Sequence, residues 1–558
     1  MPNYVGVPQI YPKLLEIRKS KTAEFKYNKY WNKEYNLRYY QVIGALHFML
    51  LERMVLGDAV GIGKSVQLIS SYIFMLEKDP ALKLLIVGPK SANGQWREEF
   101  QKFTTGITVR VIYNEYKGLI GSKARNLQYQ EFKENVMVTS FSTVMEEYEF
   151  IKDAIGSNYM FVVDEVQACK NYKTKTHFSC KFLADQATRV YGLSATIIKN
   201  GLEEVWGIYD VIVPGLFGKI TKFRETYCKQ KLMKLVINKK VRYIPKTIGY
   251  KNLELFRSTL DPYFLIRKKD DVASELPGLI SKKIVLEMLP DQKELYRQAL
   301  AGVLYEERVK QDFFDINDRM RQMMVIDEKT LKLYEERKDK YEKFLSPDGK
   351  KRGKLAALTY CQMISNGPML LKHPGESSKE EELDRLLREE LLTEKIIVYT
   401  RFSSGIPYLE VICERAGINY TKITGDVDGK ERDSGRLKFQ NDPNCRLIFI
   451  TAAGSAALNL QAAGVIIFYD TPWSYGDLYQ TIGRAQRIGS IQDHILILHL
   501  VNKGTIDYRV LERVSEKKNL SDMVVGDTAK GALDFEAHEN DVIEGLYTDL
   551  IKDAEDFK

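Results

Sequence analysis

The chain has 558 residues, enough for roughly three or four globular units, which excludes a single small binding module. Its 44% hydrophobic and 28% charged content is that of a globular protein and excludes wholesale disorder. Formal charge is +8, but locally residues 219–251 hold eleven Lys/Arg against the single acid Glu225, and residues 521–558 hold eleven Asp/Glu against three Lys. That asymmetry predicts a polyanion-binding patch and a separate acidic tail.

In chain order, the N-terminus has early prolines and charges where a signal peptide needs an apolar run, so no secretion is implied. Short apolar runs of strand type then alternate with amphipathic stretches: 84–88, 109–113, 135–140, 159–165 and 189–196. A central region follows, from about 220 to 380, in which charged stretches such as 291–324 and 331–345 predict long exposed helices, with SPDGKKRG (346–353) as a loop. Strand-type runs return at 395–400, 446–451, 465–470 and 495–501. The uncharged stretch Leu447 to Tyr469 could span a bilayer by length, but its Thr451, Gly454, Ser455, Asn459, Gln461 and Gly464 predict strand, polar loop and buried strand, and no membrane partner. Six scattered cysteines with no C-x-x-C pair suggest neither a disulfide framework nor a zinc ribbon, and point to a reducing cytosol. The expected fold class is α/β, two parallel-sheet lobes with helical insertions between them.

Three clusters carry chemistry. Asp58-Ala59-Val60-Gly61-Ile62-Gly63-Lys64-Ser65 precedes a helical stretch and reads as a phosphate loop: glycines admit backbone N–H groups to the phosphates, Lys64 supplies charge and Ser65 can ligate Mg²⁺. Asp58 stands where the full motif has a first glycine. Met160-Phe161-Val162-Val163 leads into Asp164-Glu165, a buried strand ending in paired acids, with Asp164 suited to Mg²⁺ and Glu165 to orienting the attacking water. Downstream, Arg484 and Arg487 within Gln480 to Gly489 share one helical face at i and i+3, a spacing that suits reaching a γ-phosphate across a cleft.

The order of these clusters, together with Leu37 to Gln41, Val87 to Ser91, Gln95-Trp96, Thr139-Ser140, Asp164 to Asn171, Gly192 to Thr196 with Asn200, Asp261 to Arg267 with Asp271 and Glu275 to Pro277, Ile396 to Phe402, Gly425 with Arg432, Thr451 to Leu460 and Asp470 with Trp473, resembles the Swi/Snf family of superfamily 2 ATPases. The resemblance covers residues 35 to 515 and implies two RecA-like lobes of a DNA translocase using ATP and Mg²⁺. It implies an N-terminal extension (1–34), a first lobe (35–218), a basic segment with helical protrusions (219–380), a second lobe (381–520) and the acidic tail (521–558). By position, it makes Gln41 the adenine reader, Asp58 to Ser65 and Gln480 ATP-binding, Lys64, Asp164, Glu165, Arg484 and Arg487 catalytic, and Lys90, Ser140, Thr400, Arg401, Thr451 and Asn459 DNA-backbone contacts. Ser and Thr at strand ends also cap helices, so those contacts have an ordinary alternative.

Three departures stand out: Gln167 in place of the family's histidine, Ser194-Ala195-Thr196 in the helicase form, and a bulkier Gly454-Ser455-Ala456-Ala457. They bear on coupling between DNA and ATP rather than on ATP chemistry. The leading expectation is a double-stranded DNA translocase that remodels DNA or displaces proteins. A fork-remodelling helicase acting on forked or single-stranded DNA and an ATP-switched DNA-binding scaffold are the alternatives. The basic segment is expected as a duplex clamp, the acidic tail as a disordered stretch, an autoinhibitor or a site for a protein partner, and the setting as the cytoplasm of a prokaryotic or virus-infected cell.

Overall fold

Strands that are apolar at almost every position can be buried only where helices cover both faces of a sheet, and the two large sheets of this protein are covered in that way, beside two small two-stranded ribbons. The computed structural model describes residues 7–20, 26–195, 201–237, 240–267, 276–322, 328–345, 349–425, 429–452, 458–473, 475–487 and 489–512. The expectations for Thr196, Asn200, Asp271, Glu275, Gly454 to Ala457 and the acidic tail fall outside these residues.

The strands in chain order are β1 (Arg53–Leu56), β2 (Lys83–Gly88), β3 (Val109–Val111), β4 (Glu115–Tyr116), β5 (Leu119–Ile120), β6 (Val136–Ser140), β7 (Tyr159–Asp164), β8 (Arg189–Leu193), β9 (Cys228–Ile237), β10 (Lys240–Tyr250), β11 (Phe264–Leu265), β12 (Gly278–Leu286), β13 (Ile396–Tyr399), β14 (Asn419–Ile423), β15 (Cys445–Ile450), β16 (Val465–Phe468) and β17 (His494–Asn502). The first sheet has the order β11-β1-β8-β7-β2-β6-β3 and the second β12-β17-β16-β13-β15-β14, with every pair in both parallel. Strand period assigns the two faces. Leu84, Ile86, Val138 and Val162 pack with the helices Tyr39–Leu50, Lys64–Lys78 and Asn93–Phe103. Leu85, Val87, Met137 and Phe161 pack with Phe141–Ile155, Lys175–Asp185 and Leu202–Ile212. In the second sheet Val398, Phe449 and Ile467 face one core and Ile397, Ile448 and Ile466 the other. Each fully buried side chain of this size stabilises by about 1.5–3 kcal/mol.

The region expected as a helical bridge, 219–380, is more mixed. It contributes β11 to the first sheet and β12 to the second, and its basic segment folds into the antiparallel ribbon β9–β10. Its helices include Ile220–Tyr227 and Leu253–Leu260 beside the ribbon, followed by Pro290–Leu300, Val303–Gln322, Glu328–Leu345 and Gly349–Asn366. The last of these corrects the predicted loop at 346–353 over residues 349–353, its first three residues lying outside those described: the helix begins at Gly349, and Ala357, Leu358, Cys361 and Ile364 form its buried stripe at helical spacing. The β8 strand stops at Leu193, short of the predicted end. N-terminal to the first lobe, the helix Val7–Lys19 is docked by Arg18, which donates to Asp261 Oδ1 at 3.0 Å and to Phe264 O at 3.1 Å. Among the described residues no helix is long and apolar enough to cross a membrane.

Candidate nucleotide site between the two lobes

Parallel strands bring all their C-terminal ends to one edge, which is where the chemistry-bearing residues of both lobes gather. After β1 the chain turns through residues 57–63 into the helix Lys64–Lys78. Gly61 and Gly63 both have φ of +90°, and a Cβ on Gly63 would lie 2.6 Å from Gln41 Nε2. Only glycine fits. Gly63 is the N-cap and has no side chain to occupy the first N–H groups, and the first turn holds no acid, so the helix start is open to an anion. Lys64 Nζ donates to Asp58 O at 2.8 Å and Ala59 O at 3.4 Å. Burial pushes Lys64 below the ordinary lysine value, with Glu165, Asp58 and Asp164 opposing.

The side chain of Asp58 does not face the phosphate position. It is fully buried and accepts from Arg267 Nε at 2.9 Å, from Arg267 Nη2, and from Gln67 Nε2 at 3.0 Å. Arg267 also donates to Gln67 Oε1 at 2.7 Å and to Tyr40 O. Asp58 therefore supports the loop from beneath, with only its carbonyl reaching Lys64. Ala59, Val60 and Ile62 are buried loop residues. Gln41 is tied at both ends of its amide: Oε1 accepts from Arg38 N at 3.0 Å and Nε2 donates to Ile62 O at 3.2 Å.

Asp164 closes β7 and accepts from Trp96 Nε1 at 2.9 Å. Burial, then the neighbouring Glu165 charge, raises its carboxyl to about 7. Glu165 has φ of +57°, an uncommon conformation for a residue with a Cβ, and accepts from Gln167 Nε2 at 2.6 Å. Adjacent acids with one carboxyl held up by burial and repulsion are a donor set suited to a divalent cation, and Ser65 at the helix start offers a hydroxyl.

The second lobe reaches this loop directly. Its helix Tyr475–Ala485 carries Gln480, Gly483 and Arg484, with Arg487 just beyond. A Cβ on Gly483 would overlap Val60, and one on Gly61 would lie 2.6 Å from Gln486 O. Arg484 is 3% exposed and its Nε has no hydrogen-bond partner among the described residues; the same holds for the buried Nε2 of Gln480. Arg487 Nε donates to Gly483 O at 2.9 Å. Burial, then Arg484, pushes Arg487 down to about 9, with Glu99, Glu165 and Asp164 opposing. A second contact between lobes lies outside the loop, Arg436 Nη2 to Glu98 Oε1 at 2.6 Å.

The expected DNA contacts divide into two groups. Lys90, at the start of the short helix Lys90–Ala92, and Arg401 are exposed. Arg401 donates to Gln362 Oε1 at 2.9 Å and lies over the Trp473 ring at 5.1 Å. By contrast, Ser140 caps the helix Phe141–Ile155 by accepting from Thr143 N at 3.3 Å, and Thr400 Oγ1 donates to the buried Asp470 at 2.8 Å. Thr451 is buried at the end of β15, and Asn459 has a buried Oδ1 with no partner among the described residues. Missing from the expected site roles are Arg267, Gln67 and Trp96, which hold its acids.

Residues 40–343 match the SNF2-related domain and residues 378–489 the helicase conserved C-terminal domain. The chain is similar to an uncharacterized ATP-dependent helicase of Mycoplasma pneumoniae, 27% identical over 87% of this chain and 42% of that protein. It is also similar to the lymphoid-specific helicase of Homo sapiens, 24% identical over 88% of this chain and 63% of that protein. Among solved structures it is similar to the Sulfolobus solfataricus SWI2/SNF2 ATPase core in complex with dsDNA, 22% identical over 90% of this chain and 95% of that chain, with a TM-score of 0.39. The chain thus spans less than two thirds of the length of these two curated relatives.

Proposed function

The chain belongs to the Snf2 family of superfamily 2 ATP-dependent helicases and translocases, and from that premise we infer that it hydrolyses Mg-ATP to move along double-stranded DNA, remodelling it or displacing bound proteins. The observation that carries this reading is the seating of Gly483, Gln486 and Arg487 directly on the phosphate loop, which makes the nucleotide site a joint product of both lobes.

The loop N–H groups and Lys64 bind the β- and γ-phosphates of the substrate. Ser65 and Asp164 would hold Mg²⁺, which when bound supplies neutralisation of phosphate charge. Glu165 orients the attacking water, and its bond from Gln167 fixes the carboxylate in place of the family's histidine. Arg484 and Arg487 stabilise the charge that develops on the γ-phosphate, so turnover requires the lobes to be closed. Opening and closing would then alternate the grip of Lys90 and Ser140 on one side and Thr400, Arg401, Thr451 and Asn459 on the other along a phosphate backbone. Such contacts carry little sequence information and weaken steeply with salt.

The test is ATP turnover without nucleic acid and with duplex DNA, single-stranded DNA or RNA, with Lys64→Ala as background. Stimulation by duplex, followed by triplex displacement, is the expected result. Stimulation confined to single strands or forks assigns the chain to unwinding, and turnover no higher than the Lys64→Ala background on every substrate rejects the enzyme reading.

A further inference from the structure

Between residues 228 and 250 the chain carries seven Lys/Arg and no Asp/Glu. It forms there the ribbon β9–β10, whose strands, among the described residues, pair only with each other. The register sets Lys231 opposite Lys246, Leu235 opposite Arg242 and Ile237 opposite Lys240, so Lys231, Lys246, Arg242 and Lys240 hold ladder positions of one parity, with Lys234 on the other. Like charges directly opposite weaken a ribbon, a cost that a bound polyanion offsets. A two-stranded ribbon is also of a size that the duplex major groove admits.

The root of this ribbon is tied to the ATP site. Thr247 Oγ1 donates to Glu203 Oε1 at 2.7 Å and Tyr250 OH to Glu203 Oε2 at 3.3 Å. Glu203 lies in the first turn of the helix Leu202–Ile212. The next residue, Glu204, accepts from Lys170 Nζ at 2.6 Å, and Lys170 ends the short turn that follows Asp164 and Glu165. One turn further along, Gly207 lies so close to the Lys170 carbonyl that a Cβ would overlap it. Adjacent carboxylates at one helix end thus hold the ribbon on one side and the acidic loop on the other, and a packed helix moves as a unit.

We propose that the β9–β10 ribbon is an arm that binds the phosphate backbone of duplex DNA, and that Glu203 is a positioning residue transmitting its docking through the helix Leu202–Ile212 to the loop bearing Asp164 and Glu165. This deepens the duplex-translocase reading above and rests on it.

Two variants test the two halves on the full chain. Lys231→Gln combined with Lys246→Gln lowers the slope of log binding constant against log salt for duplex DNA by about 2, at roughly 0.9 per phosphate contact. Glu203→Ala lowers duplex-stimulated turnover about fivefold, within the range of coupling through packed elements, while duplex affinity, the KM for ATP and turnover without DNA stay at wild-type values. Glu203→Gln, whose Oε1 accepts from one of the two hydroxyls while its Nε2 donates to the oxygen of the other, restores stimulation. An unchanged salt slope gives the arm another partner, such as the acidic tail, and overturns the first half. Full stimulation of Glu203→Ala, or equal losses with and without DNA, overturns the second. A wild-type chain that duplex does not stimulate brings down the function reading itself, and this proposal with it.

Discussion

On the first-lobe side of the nucleotide cleft the charged groups are held by neighbours: the buried Asp58 is gripped by Arg267 and Gln67, the half-buried Asp164 by Trp96 and Glu165 by Gln167, and Lys64 rests on the Asp58 carbonyl. On the second-lobe side, Arg484 Nε and Gln480 Nε2 are buried with no hydrogen-bond partner among the described residues. A buried donor without an acceptor costs about 1–3 kcal/mol, more when charged. The acids of the first lobe are therefore preorganised, and what stays unpaired near them among the described residues is acceptor oxygens such as Gln95 Oε1 and Gln167 Oε1, whereas the second lobe presents donors whose cost a polyanionic substrate can offset. Binding energy is drawn toward the interface between lobes, so that a substrate bound there favours their closure.

The largest break in that contrast comes from the second side. Arg487→Ala should lower kcat for ATP by about 10³-fold or more, the scale of an arginine that stabilises phosphoryl-transfer charge. KM should change far less, and Arg487→Lys should not restore the rate, because a point charge does not reproduce the planar fork. Steady-state kinetics decide it: a rise in KM with kcat intact would make Arg487 a ground-state binding group and dissolve the distinction.

On the first side, Arg267→Ala leaves the Asp58 charge buried without its ion-pair partner and with only the Gln67 amide donating to it, which should cost about 3–5 kcal/mol of stability. Denaturant unfolding measures it. Combining Arg267→Met with Asp58→Asn should recover much of the loss, since removing both charges removes the uncompensated one. No recovery would mean that the pair is needed for the shape of the loop and not only for charge balance.

The sequence marked Arg267 as the end of the motif Asp261 to Arg267, but its pairing with Asp58 was invisible there for a physical reason. Its partner is 209 residues away and it follows a strand of two residues, too short for any periodic signal. The runs that became β2, β7, β15 and β16 were legible because both of their faces are buried, which forces apolar residues at nearly all of their interior positions. The strand β12 was not, because GLISKKIVL is an edge strand with an exposed first half, where lysines are tolerated. In the site, the phosphate loop and Asp164-Glu165 were legible because their chemistry is contiguous. For the hydroxyls of Ser140 and Thr400 the sequence left a DNA contact and a helix cap both open; Ser140 does cap, whereas Thr400 donates to Asp470, a partner 70 residues away that no local pattern reveals.

The contrast between lobes recurs at two buried histidines, with a smaller effect. His47 lies between Ile43 O, to which Nδ1 donates at 2.8 Å, and Arg18 Nε, which donates to Nε2 at 3.2 Å. His499 stacks on Phe468 at 5.0 Å and its Nδ1 has no partner among the described residues. Burial depresses both from 6.5 to about 4. A depressed base is neutral in the fold and protonates first in the unfolded chain, so stability is intact above pH 6.5 and falls as pH drops toward 4, by roughly 2–3 kcal/mol for each. Unfolding at pH 7 and pH 5 should show His499→Phe removing its share of the acid loss at no cost at pH 7. His47→Phe should instead destabilise already at pH 7, because two partners are left unsatisfied.

The smallest effect tests which task Ser140 performs. Ser140→Ala should cost about 1 kcal/mol through the lost cap on Phe141–Ile155. Asp is as good an N-cap as Ser and favours the positive end of the helix, so Ser140→Asp should keep stability at or above wild type. It also puts a negative charge at the strand end where a DNA phosphate is expected to lie. Retained stability with weakened duplex binding would mean that capping and DNA contact share this residue, whereas unchanged duplex affinity would assign Ser140 to the cap alone and leave Lys90 as the first lobe's grip at that edge.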